Sequence, residues 1–145
     1  MMLVNFNRKN LKPHNISTFA FARYERLKSR KLIEHLFSKG NSFSISPLRI
    51  LYSVLDNGIS PLQAGFGVSA KKFKKAVERN RIKRLMKEGY RLQKKSLTER
   101  LHNEKKFMIV FFIYTGNVLP GYQVITEVID KALKRLENIA DENFA

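Results

Sequence analysis

The residues of this chain best placed to do chemistry are cations. Between Lys71 and Lys95 stand 12 of its 28 Lys and Arg residues, opposed only by Glu78 and Glu88. At about 100° per residue the stretch from Arg79 onward separates into two faces. Ile82, Leu85, Met86, Gly89 and Leu92 lie on one, and Asn80, Lys83, Arg84, Lys87 and Arg91 on the other. Arg79 and Arg81 fall near the borders, where long side chains bury their stems and keep their heads in water. Basic helix faces are often merely solvated, but acids are then interspersed to form i,i+4 pairs. Here Lys83, Lys87 and Arg91 repeat at that spacing with no acid between them on that face. Each like-charge pair costs roughly 0.2–0.5 kcal/mol, and an anionic polymer laid on the helix removes the cost.

Catalytic chemistry, by contrast, lacks its parts. His14, His35 and His102 are scattered, none with a carboxylate or second histidine at metal-ligand spacing. The acids are few and mostly isolated, no P-loop is present, and Gly65-Phe66-Gly67 lacks the third glycine of a dinucleotide fingerprint. No nucleophile is paired with a base. Any chemistry linked to this chain is expected to belong to a partner, with no protein catalytic residues and no protein-bound metal.

Composition supports the same reading. A length of 145 residues suits one domain with a real core, and the 43% hydrophobic content is ordinary. The formal net charge of +16 is not; it works against compaction and favours nucleic acid or an anionic surface. Cysteine is absent, which removes disulfides and thiolate chemistry and is compatible with a reducing cytoplasm. The longest apolar run, Phe107–Tyr114, is eight residues, a buried strand far short of a membrane span. Met1–Phe6 has no signal-peptide core. A soluble cytoplasmic protein is the expectation.

The elements that must position these cations follow from pattern. Residues 1–23 read as a poorly ordered basic arm whose end Phe19 and Phe21 pin to the domain, 24–140 as a single domain, and 141–145 as a frayed tail. Ser29 as N-cap and Gly40 as stop frame a first helix with the stripe Leu32, Ile33, Leu36, Phe37. Phe43 and Ile45 mark a strand interrupted at Pro47; Leu48–Leu55 is a second, and Gln63–Val68 a third. Gly65 and Gly67 leave one face of that third strand bare for close approach of a backbone or ligand. The basic helix starts around Ala76, with Ala76 and Val77 out of phase, so Arg79-Asn80-Arg81 falls in its first turns. Ser96–Lys105 is polar and unassigned. Lys106–Tyr114, apolar on both phases, is a fourth and central strand. From Tyr122 to Leu136 the periodicity is that of a packed helix. The order αβββαβα predicts an α+β, two-layer α/β sandwich with a four-stranded mixed sheet and three helices.

Arg79-Asn80-Arg81-Ile82-Lys83-Arg84, preceded by Val68-Ser69 and Lys71-Lys72 and followed by Glu88-Gly89-Tyr90-Arg91, resembles the signature of the bacterial ribonuclease P protein subunit. Arg26-Leu27, Phe37, Gly40 and the aliphatic strand Met108–Ile113 extend the resemblance over about residues 24 to 138. It implies a fold shared with a ribosomal-protein domain, in which the third strand, basic helix and fourth strand make a left-handed crossover, the opposite hand to about 98% of such units. It also implies a protein that binds a catalytic RNA one to one, is monomeric alone, and helps remove the 5′ leader from precursor tRNA, the RNA supplying the active site with Mg²⁺. By position, Arg79, Asn80, Arg81, Lys83 and Arg84 would face the catalytic RNA. Lys71, Lys72, Lys75 and Lys87 would add phosphate contacts, with Arg91 on the same face. Ile33, Phe37, Tyr52 and Ser69 match a cleft for the single-stranded leader, where unpaired bases stack on aromatic rings.

Two other readings compete. A general RNA-binding module, such as a ribosomal protein or RNA chaperone, suits charge and fold equally, and only the motif speaks against it. A membrane-surface role lacks exposed Trp or Phe anchors on the helix's apolar face.

Overall fold

Ser29 and Gly40 frame the first helix in the computed structural model, which describes residues 20–144. The arm up to position 19, with His14 and Phe19, lies outside these residues. Helix α1 (Arg30–Lys39) begins where the Ser29 hydroxyl accepts the Leu32 amide at 3.3 Å. Then come β1 (Asn41–Ile45), β2 (Leu48–Leu55), β3 (Leu62–Val68), α2 (Ala76–Gln93), α3 (Lys95–Asn103), β4 (Phe107–Tyr114) and α4 (Tyr122–Phe144).

The sheet runs β1-β2-β4-β3, with β1/β2 and β2/β4 antiparallel and β3/β4 parallel. β4 is central, as its unbroken apolar run requires. Its parallel partner demands a crossover, which α2 and α3 supply. Ile50, Ala64, Val110 and Phe112 point to the face packed by α2, α3 and α4, where most of the core lies. Leu51 and Ile109 point to the other face and form a smaller cluster with Leu27 and Leu36 under α1. The α+β mixed sheet is as expected, with α1 adding a partial third layer.

The structure departs from the sequence reading in three places. Ser96–Lys105 is largely helical, which makes four α-helices. The signal there was two apolar residues, Leu97 and Leu101, both buried, while Ser96 and Arg100 bond Glu137 and Asp141 of α4. The residue Asp141 therefore belongs to α4 and is paired at 2.5 Å, so the tail is not frayed there. At the other end, Phe21, expected to pin the arm to the domain, packs on the core before position 24. Phe21 sits edge-on to Phe66 and Tyr90, with centroids 5.9 and 5.5 Å away. Finally, the buried face of α2 is rotated toward Ile82, Met86, Gly89 and Tyr90, which leaves Leu92 42% exposed. Fully burying side chains such as Ile82 and Met86 contributes about 1.5–3 kcal/mol each, which outweighs the like-charge repulsion along the outer face.

One buried ion pair joins the ends of this architecture. Lys94, which caps the C-terminus of α2, donates to the Glu25 carboxylate, and both side chains are almost fully enclosed. The other Glu25 oxygen accepts the Ala22 amide at 3.0 Å. Tyr90, one turn earlier on α2, is buried against Phe66 and Phe112; burial, with the Glu25 charge adding, pushes its hydroxyl well above the usual range. Removing one partner of such a pair strands the other charge. Lys94→Met is expected to lose about 3–5 kcal/mol in urea unfolding. Glu25→Leu/Lys94→Met together should recover most of it; a double variant no better than the single would refute the assignment.

Candidate nucleic-acid interface

The loop from Ser69 to Lys75 and the outer face of α2 form one basic surface. The Ser69 hydroxyl accepts the Lys71 amide at 3.2 Å, and its carbonyl accepts the Phe73 amide at 3.1 Å. Phe73 is buried against Tyr114 and pins the loop to the core. Arg79 folds back from α2 and donates to the carbonyls of Phe73 and Lys74 at 2.7 and 2.8 Å. Lys72 donates to the Thr115 carbonyl at 2.6 Å. These two cations are engaged in shaping the surface, and their neighbours Lys71, Lys74 and Lys75 are exposed on it.

Residues 71–87 carry nine cations and one acid, Glu78. Lys71, Lys74, Lys75, Arg81, Lys83, Arg84 and Lys87 form no ion pair among the described residues; the five pairs present lie elsewhere. Asn80, Arg81, Arg84 and Lys87 are exposed on the outer face, and Lys83 is half-buried at its border. Arg91 differs. Glu88 grips it at 2.6 Å, and that hydrogen bonding raises its already high pKa further. Of the ten predicted contact residues, seven thus stand open on one surface and Lys72, Arg79 and Arg91 are internally bonded. Lys74 was missed, although its position beside Lys75 in the cation run was signal enough.

The second predicted group is split by the sheet. Ile33 and Phe37 lie on α1 over one face, and Ser69 comes directly after the end of β3. Tyr52 pairs with Val110 and projects to the opposite face, 5.9 Å from Phe43 and beside Lys131 and Arg135 of α4. Leu51, one residue away, occupies the α1 face. Because strand side chains alternate, a slip of one position moves a residue through the sheet. Phe37 is 53% exposed, not core, and meets the Phe111 ring edge-on at 5.3 Å. Phe111 in turn lies over the bare face of β3: a Cβ on Gly65 or Gly67 would fall 2.7 or 2.8 Å from its ring. The close approach foreseen for these glycines is made by this side chain. Phe37, Phe111 and Ile113, with exposed Arg49 opposite Ile113, form a ledge leading toward the Ser69–Lys75 loop.

Among the described residues no group of three His, Asp or Glu side chains converges to hold a metal, and no helix is long and apolar enough to cross a membrane. A sheet that carries an uncompensated basic helix on one face and an aromatic ledge on the other suits the binding of nucleic-acid strands. The family model described as Ribonuclease P matches residues 21–137. Ribonuclease P protein components are similar in sequence: that of Porphyromonas gingivalis W83 is 32% identical over 120 residues, covering 82% of this chain and 88% of the relative. That of Chlorobaculum tepidum is 39% identical over 129 residues, covering 82% and 84%. The fold is similar to that of the RNase P protein from Staphylococcus aureus (TM-score 0.57, 20% identity, 77% of this chain and 94% of that one). The Thermotoga maritima RNase P protein is comparable (TM-score 0.56, 23% identity, 77% and 96%). The chain belongs to the ribonuclease P protein family.

The clamp formed by Arg79 can be tested without RNA. A hydrogen bond from a charged donor contributes about 1.5–3 kcal/mol, so Arg79→Ala should accelerate amide exchange over Ser69–Lys75 by at least ~10-fold. Arg84→Ala should leave those amides unchanged. Equal effects of the two would show that Arg79 does not hold the loop.

Proposed function

We propose that this protein is the subunit that lets a catalytic RNA remove the 5′ leader of precursor tRNA, with α2 gripping the catalytic RNA and the α1-side ledge receiving the leader. The carrying observation is the segregation of charge: the acids among the described residues that form ion pairs meet cations outside residues 71–87, which leaves a coherent cationic face. Lys71, Lys74, Lys75, Arg81, Lys83, Arg84 and Lys87 would contact phosphates, with Asn80 as an amide donor among them. Arg79 and Lys72 act as positioning residues. The RNA performs the hydrolysis at the phosphodiester, leaving a 5′-phosphate on the mature tRNA, and holds the Mg²⁺ that the reaction uses. The protein contributes neither nucleophile nor general base. It acts one to one with the RNA, is a monomer on its own, and works in the cytoplasm.

Leader recognition on this reading is indifferent to sequence. Phe37 and Phe111 offer ring faces and edges that stack any base, while Arg49 and the loop lysines attract its phosphates. Tyr52, on the far side of the sheet, takes no part.

Reconstitution with the cognate catalytic RNA and precursor tRNA at low Mg²⁺ should show stimulated leader cleavage; no stimulation would sink the reading. Arg81→Ala/Arg84→Ala should weaken catalytic-RNA binding and reduce its salt slope by about 0.7–0.9 per lost phosphate contact. An unchanged slope would place these arginines away from phosphate. Phe37→Ala should weaken binding of precursor but not mature tRNA by about 1–3 kcal/mol, the range for one stacked base. Equal weakening of both tRNAs would remove Phe37 from the leader site.

A further inference from the structure

One concavity among the described residues lies away from the basic helix. A cavity of about 560 Å³ lies at the opposite end of the sheet, where β2 ends and β4 begins. Its wall on the sheet and α1 side is apolar: Leu32, Leu55, Phe107 and Ile109. Ile59, 76% exposed on the β2–β3 loop, stands at its margin. The rim carries Arg23, Arg26 and Lys28 against a single acid, Asp56. Neither Arg23 nor Lys28 is ion-paired among the described residues. Arg26 is steadied by the Phe21 carbonyl at 3.3 Å, with its guanidinium 5.5 Å from the Phe21 ring centroid. Gln63, buried in the cavity lining, donates through its amide nitrogen to the Tyr24 carbonyl at 3.0 Å. Its amide oxygen takes no donor among the described residues, so an acceptor is left for an incoming N–H or O–H.

An apolar wall, an open hydrogen-bond acceptor and a cationic rim match the parts of a nucleotide: a flat ring, exocyclic donors and a phosphate. The volume lies within the roughly 300–1,000 Å³ of small-ligand sites. The geometry points to a second nucleotide site, separate from both the basic helix and the Phe37 ledge. It takes one unpaired base against Leu55 and Phe107, with the adjoining phosphate on Arg23 and Lys28. The ledge ends near Ile113 and this cavity begins at Ile109, four residues or about 13 Å back along β4. The two sites therefore accept different nucleotides, and this inference stands whichever RNA the helix holds.

The test uses the full chain, a ten-residue oligouridylate and, separately, AMP, followed by NMR. Either ligand should shift the amides of Gly58, Ile59 and Ser60 and the Leu55 and Ile109 methyls. Shifts with the oligonucleotide alone assign the site to an RNA strand, whereas equal, saturable shifts with AMP assign it to free nucleotides. Arg23→Ala/Lys28→Ala, both exposed positions, should abolish these shifts and lower the salt slope of oligonucleotide binding by about 0.7 per cation removed. Lys131→Ala/Lys134→Ala, the same charge change on the other face of the sheet, should alter neither. No shift at the cavity with either ligand would overturn the proposal. So would equal losses in the two double variants, because a diffuse field would then account for the binding.

Discussion

The parallel pairing of β3 with β4 is the constraint on which the remaining structure depends. Two antiparallel neighbours can be joined by a tight turn, but a parallel partner obliges the chain to travel back the length of the sheet. Helix α2, with 18 residues, covers about 27 Å, close to the span of an eight-residue strand. It must lie along the sheet, and Ile82, Met86 and Tyr90 satisfy that demand. The consequence for binding is geometric. A helix fixed along its whole length by one face presents the other as a rigid rail, and the loop that feeds it must emerge at the sheet end where Arg79 can gather it.

The charge distribution follows a division of labour. Glu25, Glu137 and Asp141 hold elements together by meeting Lys94 and Arg100, while Glu88 and Asp130 quiet cations within their own helices. Little acid remains for residues 71–87. Packing energy of several kcal/mol along the buried face of α2 keeps that stretch helical against a repulsion of a few tenths per pair.

Much of this was legible in the sequence because it rests on local rules. The Ser29 cap, the strands Leu48–Leu55 and Phe107–Tyr114 and the polar face of α2 all appear where spacing put them. What escaped needed a partner distant in the chain. Lys94 reads as one more cation until Glu25, 69 positions away, is seen to claim it. Arg79 belongs to the motif by sequence and to the loop by hydrogen bonding. Leu97 and Leu101 were too few to signal a helix that α4 stabilises. Tyr52 was lost to parity: the pattern of β2 is apolar on both phases, so nothing local says which face each residue meets. The bare strip at Gly65 and Gly67 was visible, but its occupant, Phe111, was not.

The unspent cations of α2 also tie the protein's stability to its occupancy. A ligand that binds only the folded chain stabilises it by RT ln(1 + [L]/Kd), about 2.7 kcal/mol when the ligand stands at 100 times Kd. For a domain carrying +16 the gain includes relief of its own repulsion. Copies without a polyanion are the ones that open most often. Stability is thereby graded by the concentration of the polyanion through mass action, with the basic rail as the contact.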